Sequence, residues 1–163
     1  MPDPTRPVAG APIDTDWGQQ VHDRVFQPKG VRGHGAADNN VGSAYERLPL
    51  DTADDDPGGW LTGGDSYEVP AGAGGLYLYV MRVQTNGGSG SNYTKVVFKV
   101  NSIDVVKFRI DHDTLPNNDQ RVGVIELAAG DSLTIYAAKN GGGNPDVFIQ
   151  QFDFIIMGTS IGA

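Results

Sequence analysis

The chain has 163 residues, 23 glycines, 10 prolines, no cysteine and a net charge of −8. That length buries a full core within one domain and leaves room for an appended segment. The lack of cysteine excludes disulfides and thiolate-bound metals, and an acidic chain whose 12 basic residues are scattered singly argues against a nucleic-acid partner.

Residues 1–12 hold four prolines and no apolar pattern, so they read as an extended arm. They contain no apolar core of signal-peptide length, and no run in the chain approaches a membrane span. The expectation is synthesis in a cytosol, with no membrane insertion. Residues 13–26 differ. Asp16 with Gln19 resembles a capping box, Ile13 can act as its staple, and Trp17, Val21 and Val25 recur at i, i+4 and i+8. This predicts one short amphipathic helix, ended by Pro28 and Gly30. A helix of this size needs a partner surface, either its own domain or another chain. Ile13, Trp17, Val21, Val25 and Phe26 are therefore the candidate anchoring or oligomerisation residues.

Beyond residue 30 the pattern changes to β. Residues 31–40 are glycine-rich with weak strand character, residues 44–50 form a short strand, and D-T-A-D-D-D-P-G-G is a loop. Trp60-Leu61 and residues 66–69 flank a short, irregular hairpin. Residues 76–85 follow, with Leu76, Leu78, Val80 and Arg82 on one face and Tyr77, Tyr79, Met81 and Val83 on the other. Both faces are apolar, which predicts cover on both sides. Strands over 94–100 and 103–110 are joined by Asn101-Ser102, a link of hairpin length, and a loop spans 111–120. Strands at 121–127 and 132–139 are joined by A-A-G-D. In the last strand, 147–157, Phe148, Gln150, Phe152, Phe154 and Ile156 alternate on one face. About eight strands with turn signals between them and no crossover helix predict an antiparallel sandwich, jelly roll or barrel.

The run P-A-G-A-G-G-L-Y-L-Y-V-M-R-V, the hairpin V-F-K-V-N-S-I-D-V, the segment V-I-E-L-A-A-G-D-S-L-T-I-Y-A and the closing F-D-F-I-I-M resemble the globular-head jelly roll shared by complement-type heads and tumour necrosis factor. Gly75, Tyr77 and Tyr79 fall on that family's G-x-Y-x-V strand. Leu127, Gly130 and Asp131 fall on its L-x-x-G-D turn, and Phe152 and Phe154 on its closing strand. With the segment P-V-A-G-A-P-I-D-T-D-W-G-Q-Q-V-H-D-R-V-F in front, the chain is similar to small virion structural proteins of tailed phages, particularly those infecting actinobacteria. The resemblance implies an all-β antiparallel jelly-roll sandwich over residues 31–163, with residues 1–30 as arm and helix. It also implies a homotrimer in a virion, its partners being itself and other virion proteins of tail or capsid.

Chemistry is sparsely signalled. His22, His34 and His112 have no second histidine at ligand spacing, and no G-x-S-x-G, H-E-x-x-H or phosphate-binding glycine loop occurs. The acidic stretches Asp51, Asp54, Asp55, Asp56 and Asp111, Asp113, Asp119 lack the spacing of a calcium loop. Glu68 and Glu126 stand alone, without the facing acid that glycoside hydrolysis needs. The expectation is no catalytic residue, no metal and no cofactor. Tyr77, Tyr79, Phe152 and Phe154 are candidates for a subunit interface, where aromatic residues are enriched. Trp60, Tyr67 and Tyr93 are candidates for contact with a host cell-surface glycan. The leading expectation is a non-enzymatic, homotrimeric minor tail or tail-tip component. The alternatives are capsid decoration or a head fibre and, in another class, a carbohydrate-binding β-sandwich module.

Overall fold

The computed structural model describes residues 30–35, 39–86, 92–112, 117–141, 143 and 145–158. The expected helix over 13–26 and the arm before it lie outside the described residues. Eleven strands are present among the described residues: β1 Gly30–His34, β2 Asn39–Asn40, β3 Glu46–Leu48, β4 Thr52–Asp55, β5 Tyr67–Glu68, β6 Gly75–Asn86, β7 Tyr93–Val100, β8 Ile103–Asp111, β9 Asn117–Leu127, β10 Ser132–Asn140 and β11 Asp146–Gly158. One sheet runs β4-β1-β11-β6-β9, with β2 also on β11; the other runs β3-β10-β7-β8, with β5 also on β10. Every pairing among these strands is antiparallel. From β6 onward the chain passes between the sheets, and only β7 and β8 form a hairpin within one sheet. This is the all-β, two-sheet jelly-roll architecture.

Short polar segments do more than their composition announces. The D-T-A-D-D-D stretch, expected as loop, contains β4, because β1 offers it a hydrogen-bonding edge across a register shift at Arg32/Gly33. Its acidic side chains then keep that outer edge from recruiting further strands. Asp56 closes the following turn by accepting from the backbone N–H groups of Trp60 (2.7 Å) and Leu61 (2.9 Å). The expected loop over 111–120 is shorter at both ends. β8 runs to Asp111, and β9 begins at Asn117 because Thr85, Gln84 and Val83 supply partners to Asn117, Asn118 and Asp119.

The two turns expected from sequence are tied to each other. Asn101 and Ser102 adopt φ of 49° and 69°, the left-handed pair that a two-residue hairpin turn uses. The Asn101 side chain donates to Asp131 Oδ1 (2.7 Å) and accepts from the Ser132 backbone N–H (3.0 Å). Asp131 Oδ2 in turn accepts from the Ala128 N–H at 2.7 Å. Gly130, at φ 85°, lets that turn close.

The core between the sheets is aromatic. Trp60, Tyr67, Tyr77, Tyr79, Phe98, Phe152 and Phe154 are all buried in one cluster. Phe152 and Phe154 meet edge to face at 4.7 Å, and Phe98 reaches across from the other sheet to lie 5.5 Å from Phe152 and 5.8 Å from Phe154. Tyr77 donates its hydroxyl to the Ala73 carbonyl and Tyr67 donates to that of Thr52. Burial pushes the Tyr77 phenol up to about 12. The alternation expected for the last strand is corrected here. Gln150 is skipped in the pairing of β11 with β6, so Val147 and Ile149 face inward before the bulge and Phe152 and Phe154 after it.

Phe152→Ala removes a ring packed on both sheets and should cost about 3–5 kcal/mol in denaturant unfolding. A pH dependence is expected from His112, which is buried with Nε2 2.9 Å from the Thr94 hydroxyl and no hydrogen bond at Nδ1. Desolvation lowers its pKa below the ordinary histidine value of 6.5, against the opposing pull of Asp111. The folded chain therefore favours neutral His112. This contribution to stability is complete above pH 6.5 and is lost as pH falls through the depressed value. Unfolding midpoints measured between pH 7.5 and pH 5, values chosen to bracket ~6.5, should fall more steeply for the natural chain than for His112→Asn.

Candidate functional site

The two-faced strand β6 decides where a site can form. Its inner residues Tyr77, Tyr79, Met81 and Val83 are buried in the core. Its outer residues Leu76, Leu78, Val80 and Arg82 lie on the outward face of the β4-β1-β11-β6-β9 sheet. Cross-strand register then assembles a surface no single strand contains. Leu78 is flanked by Ile155 of β11 and Val124 of β9, and Val80 by Asp153 and Val122. Leu76 is 42% exposed, Ile155 41%, Val122 55% and Val124 56%. On β9 these two valines alternate with half-buried Gly123 and Ile125. Gly123 is required beneath Tyr79, where a Cβ would come within 2.5 Å of the phenol oxygen.

A charged pair borders this apolar surface. Arg32 on β1 lies opposite Asp153 in register, its Nε 3.4 Å from Oδ1. Asp153 is only 4% exposed; Gln151 donates to its Oδ2 at 2.7 Å, while Oδ1 has no hydrogen-bond partner. An outward strand position thus holds a buried carboxylate, covered by neighbours yet incompletely hydrogen-bonded.

The residues that the sequence singles out fall elsewhere. Tyr77, Tyr79, Phe152 and Phe154, expected at a subunit interface, are buried in the chain's own core. The inter-sheet gap takes up the aromatic surface expected to meet a partner. Trp60 and Tyr67, expected to meet a glycan, are fully buried: Trp60 meets Tyr77 edge to face at 5.3 Å and Tyr67 stacks on Phe152 at 5.9 Å. Tyr93 is half-buried on β7, with Lys95 and Arg109 over its ring. Ile13, Trp17, Val21, Val25 and Phe26 lie outside the described residues. Val122, Val124 and Ile155 are not singled out by the sequence. The signal for the first two is the V-G-V alternation, legible as an apolar face but not as an exposed one.

Among the described residues no three histidines, cysteines or acids gather to hold a metal ion. His34 Nδ1 lies 3.1 Å from Asp54 Oδ2 on the surface. Among the described residues no helix is long and apolar enough to cross a membrane.

No protein-family model matches the sequence, and no curated protein matches it either. The fold is similar to that of solved structures. The globular domain of zebrafish complement 1qA protein aligns with TM-score 0.58 and 12% identity, over 81% of this chain and 99% of that one. Eiger, a tumour necrosis factor from S. frugiperda, aligns at 0.52 and 14%, over 83% and 96%. The vertex protein P5 of PRD1 aligns at 0.58 and 16%, over 80% and 96%. At these identities the likeness shows the fold, which is the jelly roll expected from sequence.

Val122 and Val124 project outward, so the double variant Val122→Thr/Val124→Thr should leave chain folding stability within about 0.5 kcal/mol per site. Far-UV circular dichroism and denaturant titration at high dilution check this.

Proposed function

We propose that the chain is a non-enzymatic structural protein of a phage virion. In this reading it is a homotrimeric minor tail or tail-tip component, attached to the particle through residues 1–30. The observation that carries it is the exposed apolar face built from Leu76, Leu78, Val80, Val122, Val124 and Ile155. Water disfavours a contiguous apolar surface of this kind, and such faces mark association sites. The occupant proposed is a second and a third copy of the same chain, because a closed ring covers the face without leaving an open end to polymerise. The family resemblance, which implies a three-fold assembly, supports that number. Three copies at −8 repel one another, but screening beyond about 8 Å at physiological salt makes the repulsion tolerable.

A second location, decoration of the head or a head fibre, is supported by the likeness to a protein named for the vertex of its particle. The assembly argument is the same for both.

Light scattering on the intact protein should return three times the 17.3 kDa chain mass. Val124→Asp should shift it to the single-chain mass with its β-type circular dichroism unchanged. A natural chain that stays monomeric at micromolar concentration overturns the trimer.

A further inference from the structure

The outward face of the β3-β10-β7-β8 sheet has a different character. Basic residues that are scattered singly along the sequence are brought together by register. Arg47 on β3 lies opposite Tyr136 on β10, which lies opposite Val97 on β7 and then Lys107 on β8. One row over, Ala138, Lys95 and Arg109 are aligned; on the other side, Thr134, Lys99 and Asp104 are aligned. Among the described residues this face gathers five of the chain's 12 basic side chains on a protein of net charge −8. Asp104 and Asp111 are interleaved with them, and Glu68 lies at one corner, opposite Ser132. The floor is small and buried, formed by Val97, Thr134 and Ala138, over which the long basic side chains lie.

The cations are held in place rather than loose. Lys99 sits 5.0 Å over the Tyr136 ring, and Lys95 and Arg109 sit 5.7 and 5.1 Å over Tyr93. Asp104 lies 2.6 Å from Lys107 and 3.1 Å from Lys99, and Asp111 lies 3.1 Å from Arg109. Hydrogen bonds from Lys107 and then Lys99 hold the Asp104 carboxyl below its usual range. Tyr45, half exposed and close enough to Lys107 to act on its charge, adds a phenol ring at the rim.

We propose that this face binds an anionic polysaccharide, whose carboxylate or sulfate groups are held by Arg47, Lys95, Lys99, Lys107 and Arg109. The interleaved acids choose between polyanions. A nucleic-acid duplex carries a phosphate charge about every 1.7 Å along its axis and would set phosphates against Asp104 and Asp111. A polysaccharide with one acidic group per sugar spaces its charges more widely, and its hydroxyls donate to those same carboxylates. The site does not depend on the trimer, because it lies on the opposite side of the sandwich from the apolar face. Association would add avidity by presenting three copies.

The test uses the full chain with polygalacturonate, dextran sulfate, neutral dextran and a short DNA duplex, by affinity electrophoresis at low salt. At least one of the two anionic polysaccharides should retard the protein and neutral dextran should not. The variant Lys95→Gln/Lys107→Gln/Arg109→Gln, all on the surface, should weaken binding by about tenfold or more, as expected when several exposed charges are removed together. Its thermal midpoint is the folding control. Asp104→Asn removes a charge that opposes phosphates and should narrow the preference for the polysaccharide over the duplex. Failure of both anionic polysaccharides to bind, equal binding of neutral dextran, or tighter binding of the duplex overturns the proposal. So does a triple variant that binds as the natural chain does, or an Asp104→Asn variant whose preference over the duplex is unchanged.

Discussion

β11 lies inside its sheet, hydrogen-bonded to β1 on one side and β6 on the other. A strand in that position has to present apolar side chains to the core along its whole length. Strict alternation cannot do this here, because Val147 and Ile149 have the same parity as Gln151 and Asp153. Without the extra residue at Gln150, two polar side chains would enter the gap that Phe152 and Phe154 fill. The bulge lets both halves of the strand face inward, and Gln150 turns to donate to Gln84 on β6. The contacts of Phe98, Tyr67, Tyr79 and Trp60 with the two phenylalanines all depend on that change of register.

The same register places Asp153 and Ile155 on the outside. Asp153 then meets Arg32 and Ile155 meets Leu78, so the bulge also shapes the surface proposed for self-association. One inserted residue thus sets both the core packing and the outward face. The opposite face has another origin. Its outward positions bring lysine, arginine and tyrosine together above a floor of small residues. One side of the sandwich therefore carries the apolar face proposed for self-association, and the other gathers the basic side chains proposed to hold an acidic ligand.

Strand identity was legible where it rests on local chemistry. The alternation in 94–100, the left-handed Asn101-Ser102 link, the G-D turn before β10 and the two-faced β6 are each set by a few adjacent residues, and each is found where expected. Segments such as Thr52–Asp55 and the start of β9 were not legible. Their strand character comes from the hydrogen-bonding edge of a neighbour distant in sequence, to which local composition is blind.

By itself the sequence determined an antiparallel β domain, a jelly roll by its family resemblance, with one strand apolar on both faces and no legible reaction centre. Only the tertiary structure decided how those residues are used. Tyr77, Tyr79, Trp60 and Tyr67 have the composition of a binding surface, yet they fill the space between sheets because that gap needs large side chains. Leu76, Val122, Val124 and Ile155 look like ordinary core residues, yet they lie outside. Arg47, Lys95, Lys99, Lys107 and Arg109 are isolated in the chain and neighbours on the sheet. Parity along a strand is a local property, but which strands lie side by side, and what covers each face, follows from pairings between residues far apart in the chain.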